Sequence, residues 1–224
     1  MKSHTLFRLT VTCILLPCLN LALPAQDPSE ELVKTIMQGD VEAVEKLIDG
    51  GMDVNMVLNE RTTPLMFALY GDNPEMVEML ILKGADVNLN TPKGGNAINV
   101  AASTGNQRFC ELLLEDGADL EARDNEGKTP LINAVYNKKI EAVRYLVEKG
   151  ADVNAREPNG WSSLMFASMG GNEELVNILI KAGADVNSRT NDGETPLMRA
   201  EKLQDAGMGD YSGIIRMLKE AGGE

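Results

Sequence analysis

Apolar positions along this chain recur at a long fixed interval. Val44, Val77, Cys110, Val143 and Val176 stand 33 residues apart, and Leu47, Leu80, Leu113, Leu146 and Leu179 form a second column three residues on. An i, i+3 pair is one face of an amphipathic helix, presented identically by successive units. Glycines keep the same step at Gly51, Gly84, Gly117, Gly150 and Gly183, within GMDVN, GADVN, GADLE, GADVN and GADVN. A further mark runs RTTPLMFA from Arg61, GGNAINVA from Gly94, GKTPLINA from Gly127, GWSSLMFA from Gly160 and GETPLMRA from Gly193. Such a period means a stacked array of units, because one helix pair cannot bury its apolar face alone.

Each unit predicts two helices. Thr63-Pro64, Thr129-Pro130 and Thr195-Pro196 place a capping residue before a proline, which opens a first helix. A short turn marked by Gly105 or Gly171 follows, and then a second helix such as Glu75 to Lys83, ended by the recurrent glycine. Asp27-Pro28-Ser29-Glu30 reads as a capping-box start for an N-terminal helix. Near the C-terminus the spacing breaks: KLQDAGMGDYSG carries six extra residues, and its glycines predict a flexible loop.

These registered marks resemble the ankyrin repeat family over roughly residues 29 to 222. The resemblance implies an all-α solenoid of about six helix-turn-helix units with projecting hairpin loops. The divisions are an N-terminal cap 29–60, internal repeats 61–93, 94–126, 127–159 and 160–192, and a C-terminal cap 193–224. The family's histidine after Thr-Pro-Leu is replaced by Met66, Asn99, Ile132, Met165 or Met198, so its bond to the loop is expected to be lost. Repeat three also carries Asn96-Ala97 in place of Thr-Pro.

Residues 1–25 read as a signal peptide: Lys2 and Arg8 precede an uncharged stretch from Leu9, with cleavage expected after Ala25. The expected compartment is the periplasm, with full secretion as the alternative. Cleavage would remove His4, Cys13 and Cys18, the sole histidine and two of three cysteines. A histidine base, an internal disulfide and a Cys/His zinc site are then excluded. The net charge of −13 becomes −15 once Lys2 and Arg8 are gone, leaving 19 basic and 34 acidic side chains. That field disfavours nucleic acid and favours a basic partner.

No phosphate loop, paired carboxylates or nucleophile constellation stands out, so no catalytic residue, metal or cofactor is expected. The repeated Asp53, Asp86, Asp119, Asp152 and Asp185 belong to turns, since units stack roughly 10 Å apart and cannot share an ion. Cys110 is expected to be buried and inert.

By the resemblance, partners bind at the loop tips and the inner, concave face of the first helices. Five of the eight aromatics after residue 25 map there: Phe67, Tyr70, Tyr136, Trp161 and Phe166. Tyr and Trp are common interface anchors. Phe67 and Phe166 suit either anchoring or packing between helices. Met169 and Lys128 fall on the same face, and Arg123, Arg156 and Arg189 recur at a loop tip as an expected basic ridge. Met56, Val57 and Leu58 form either a contact patch or a cover for the N-terminal cap. The expected function is non-enzymatic: a monomer that restrains, chaperones or scaffolds an exported envelope enzyme, needing no membrane after signal cleavage. The alternative is a secreted effector that engages a host or prey protein.

Overall fold

A computed structural model describes residues 28–58 and 60–224. Residues 1–25, with the expected signal peptide, His4, Cys13 and Cys18, lie outside the described residues, as does Asp27 of the expected capping box. The described chain holds twelve helices and no strand: α1 (Pro28–Gln38), α2 (Val41–Asp49), α3 (Pro64–Tyr70), α4 (Pro74–Leu82), α5 (Ala97–Thr104), α6 (Gln107–Glu115), α7 (Pro130–Tyr136), α8 (Ile140–Glu148), α9 (Ser163–Met169), α10 (Glu173–Lys181), α11 (Pro196–Asp205) and α12 (Ser212–Glu220). Each odd helix packs on the even helix that follows. Odd helices also stack on odd and even on even, giving two layers.

The helix starts follow the capping chemistry of the sequence. Thr63, Thr129, Ser162 and Thr195 each accept a hydrogen bond from the backbone N–H three residues on. Asn96 does the same for Asn99, so the aberrant Asn-Ala start of α5 is still capped. At the other end, Gly84 has φ 89°, while Ala85 N–H bonds Leu80 O at 3.0 Å and Gly84 N–H bonds Ile81 O at 2.9 Å. This Schellman closure needs a left-handed residue, which glycine supplies without strain.

Val44, Val77, Cys110, Val143 and Val176 are all fully buried, as are Leu80, Leu113, Leu146 and Leu179. Leu47 is only partly buried, because its helix α2 has a stacked neighbour on one side alone.

Polar ladders join successive units. Asp86 Oδ1 accepts from Asn88 N–H at 2.9 Å, closing the turn after α4. Asn88 then reaches the next unit, donating to Gly117 O at 2.9 Å and accepting from Asp119 N–H at 2.8 Å. Asn55, Asn154 and Asn187 repeat the reach. Glu121 takes the same place in GADLE and keeps only the acceptor half, toward Asp152 N–H at 2.8 Å.

The C-terminal insertion departs from the expected flexible loop. Part of it lengthens α11 to ten residues, against seven in α7 and α9. Tyr211 is buried, and its hydroxyl donates to Met169 O at 3.0 Å. Burying a tyrosine ring and satisfying its hydroxyl orders a segment that glycine content alone would leave loose.

Candidate functional site

The inner surface is built from three columns that the 33-residue period brings into line. Position by position they are Thr62, Gly95, Lys128, Trp161 and Glu194; Phe67, Val100, Asn133, Phe166 and Arg199; and Tyr70, Ser103, Tyr136, Met169 and Lys202. The first column ends a five-residue hairpin turn, as where Asp124 N–H bonds Lys128 O at 3.0 Å and Glu157 N–H bonds Trp161 O at 3.0 Å. A side chain locks each turn. Asp124 Oδ1 accepts from Lys128 N–H, and the buried Glu157 accepts from Trp161 N–H, both at 2.9 Å.

Over units four to six these columns converge in one strip. Tyr136 meets Phe166 edge-on, with ring centres 5.6 Å apart, and Trp161 lies tilted against the same Phe166 at 5.2 Å. Lys128 Nζ stands 4.3 Å over the Tyr136 ring and pairs with Glu126 at 2.6 Å. At the far end the Arg199 guanidinium lies 5.1 Å over Trp161 and pairs with Glu194 at 3.0 Å. Lys202 pairs with the other Glu194 oxygen at 3.0 Å. Its hydrogen bond, reinforced by Arg199, holds the Glu194 carboxyl below the usual range despite partial burial. Arg199 also approaches Met169 Sδ at 3.9 Å. The strip is therefore a run of three rings closed at each end by a cation, a preformed surface with little rotamer freedom left to lose on binding.

Trp161, Phe166, Tyr136, Met169 and Lys128 thus come together. Trp161 is in contact with both Phe166 and Arg199, whereas Tyr136 is 52% exposed. Phe67 and the exposed Tyr70 sit two units away, take part in neither ring pair and form a separate patch. Repeat three divides the two, so the single aromatic surface expected from the sequence is in fact two.

The loop-tip arginines Arg123, Arg156 and Arg189 are all exposed, with their guanidinium groups held on backbone carbonyls. Arg123 donates to Gly127 O at 2.6 Å and across to Arg156 O at 2.9 Å. Arg156 in turn bonds Gly160 O and Arg189 O, and Arg189 bonds Gly193 O. The guanidinium groups close each hairpin, and those of Arg123 and Arg156 also tie it to the next. Met56, Val57 and Leu58 border a groove of about 800 Å³ against α1, with Leu58 buried and Val57 at its rim.

Sequence reasoning missed Arg199 as a member of the strip, although the shared column with Phe67 and Phe166 could have found it. It also missed a buried asparagine network. Asn99 donates to Ala122 O at 2.7 Å and to Asn96 Oδ1 at 2.8 Å, so in this repeat asparagine restores a side-chain bond to the loop. Asn133 donates to Asn99 Oδ1 and to Asp124 Oδ2, both at 2.8 Å. Cys110 is fully buried, and burial pushes its thiol up to about 12, so it carries no thiolate chemistry.

A family model described as ankyrin repeats matches in three copies, over residues 15–91, 70–157 and 152–222. The chain belongs to the ankyrin repeat family. The ankyrin repeat domain of Bcl-3, described as a unique member of the IκB protein family, has a crystal structure similar to this one. The TM-score is 0.76 at 29% identity, covering 89% of this chain and 88% of that one. No curated protein sequence matches. The ankyrin repeat is a generic protein–protein interaction module, and the matches indicate no catalytic family. Its partners are proteins. Among the described residues no helix is long and apolar enough to cross a membrane.

Proposed function

We propose that this ankyrin repeat protein comprises six repeats, one per helix pair, and holds a protein partner on the inner face of its first helices. The observation that carries the reading is the Lys128–Tyr136–Phe166–Trp161–Arg199 strip. Three rings and two cations are held in register by Glu126 and Glu194, and Tyr136 offers an exposed anchor. Exposed tyrosine on a rigid platform is what interface hot spots require. Residues 1–25 act as a cleaved signal peptide, and the working compartment is the periplasm. The partner is an exported enzyme that the monomer restrains, chaperones or scaffolds, and the acidic excess favours a basic one.

Two measurements test this. Mass spectrometry of the native protein should find Gln26 at the N-terminus, and a retained Met1–Ala25 segment removes the export reading. Affinity capture from envelope extract should recover a protein that Tyr136→Ala retains at least tenfold less well while its melting temperature stays within a few degrees. Equal retention by wild type and Tyr136→Ala discards the strip as the binding site.

A further inference from the structure

Between the two aromatic patches, repeat three opens a recess of about 200 Å³. It exists because that repeat lacks two side chains its neighbours carry. Gly95 stands where the next units have Lys128 and Trp161, and Ser103 stands between Tyr70 and Tyr136 in its column. Gly95 is also required by the stacking of loops, since a Cβ there would collide with the Arg61 carbonyl. No such demand explains Ser103, whose hydroxyl merely bonds Val100 O in its own helix.

The walls and floor are polar and largely prepaid. Asn99 and Asn133 are 5% and 8% exposed, and both line the recess with Tyr70 and Asp124. Asp124 accepts from three donors, Glu126 N–H and Lys128 N–H at 2.9 Å and Asn133 Nδ2 at 2.8 Å. A carboxylate only accepts, so the atom of Asn133 facing it is the amide nitrogen, and the Asn133 carbonyl oxygen is free to face another donor. Among the described residues no lysine or arginine pairs with Asp124. The recess thus combines an unpaired carboxylate, an amide oxygen and an exposed tyrosine.

Resting on the protein-binding function proposed above, we infer that this recess receives one arginine side chain of the partner. Its volume is below the roughly 300–1,000 Å³ of sites that enclose a whole ligand, and suits one long side chain. A planar guanidinium can donate to Asp124 and Asn133 together and stack on Tyr70, which a lysine ammonium cannot do equally well. The net charge of −13 draws such a group in.

The test uses the peptide acetyl-Gly-Arg-Gly-amide, followed by amide NMR on the full protein. The expected result is saturable shifts of the Asn99 and Asn133 side-chain amides, with the citrulline analogue, isosteric and uncharged, at least fivefold weaker. Ser103→Tyr fills the recess with the residue found in two other units. It should abolish the shifts and leave the melting temperature unchanged, and Asp124→Asn should weaken them at least fivefold. Absent shifts, equal binding of the citrulline peptide, or undiminished binding to Ser103→Tyr each overturn the arginine site. Those outcomes leave the strip untouched, because capture of the partner and its loss in Tyr136→Ala are read separately.

Discussion

The Arg199 guanidinium lies 5.1 Å over the ring of Trp161, which also packs against Phe166 at 5.2 Å. Residues from adjacent units thereby fasten the last repeat to the one before it, through one of the aromatics that the sequence maps to the recognition face. Trp161 is part of the fold as well as part of the surface. Trp161→Ala should therefore lower stability by about 2–4 kcal/mol as well as weaken partner binding, whereas Tyr136→Ala should act mainly on binding. Denaturant unfolding beside partner affinity separates the two, and an unchanged midpoint in Trp161→Ala contradicts a structural role for these contacts.

Cys110 should resist thiol reagents in the native protein. It sits in the buried valine column with its thiol pushed up to about 12. Cys110→Val should change stability by less than about 1 kcal/mol, while Leu113→Ala, three residues on and equally buried, should cost about 2–5 kcal/mol. Rapid labelling without denaturant would disprove the packing of α6.

Asn88→Ala should cost about 1–2 kcal/mol, because it removes a donor to Gly117 O and an acceptor for Asp119 N–H in the next unit. Lys181→Ala, on the exposed end of α10, should fall within about 0.5 kcal/mol of wild type. Urea titration of the two variants compares a bond between units with a solvated side chain.

Glu121→Asn should stabilise the protein by about 1 kcal/mol, since asparagine restores the donor that the other units direct at the next glycine carbonyl. Burial raises the Glu121 carboxyl above its ordinary value, with Asp152 and Asp119 adding to it and the Asp152 N–H opposing. A carboxyl raised in the folded state holds its proton more tightly there than in the unfolded chain. Its contribution to stability accordingly falls as pH rises from the ordinary value through the raised one. The advantage of Glu121→Asn should be greatest near neutral pH and shrink as pH drops toward about 4. An advantage that grows on acidification contradicts this.

Tyr211→Phe should cost about 1 kcal/mol by leaving Met169 O without its hydroxyl donor. Hydrogen exchange should show the Tyr211 N–H, which donates to Gln204 Oε1 at 2.7 Å, protected in the wild type. Exchange at the rate of an open chain would restore the insertion to a loose loop.

Much of the architecture was legible because it is repetitive and local. A capping threonine before proline, a left-handed glycine after the second helix and a valine column act within one unit or between identical neighbours. The five repeated aspartates read correctly as turn formers for the same reason, each accepting from the N–H two residues on. Repeat three was harder. Its Asn96 and Asn99 look like departures from the pattern, and the bond from Asn133 of the next repeat to Asn99 appears only when α5 and α7 are stacked.

The sequence by itself determined the helix-pair repeat and its stacking, because a 33-residue period places equivalent residues on equivalent faces, and the ankyrin resemblance added the inner face to which Tyr136, Trp161 and Phe166 map. Only the tertiary structure decided how that face is divided. Whether a ring is exposed depends on the side chain that reaches it from the next unit: Arg199 covers Trp161, Lys128 covers one face of Tyr136, and nothing larger than Ser103 stands between Tyr70 and Tyr136. Likewise Arg123 and Arg156 look like free charges in one dimension, yet their guanidinium groups end on carbonyls of the neighbouring hairpin. Periodicity reports which face a residue occupies, while its partners across the interface follow from rotamers and distances that exist only once the units are packed.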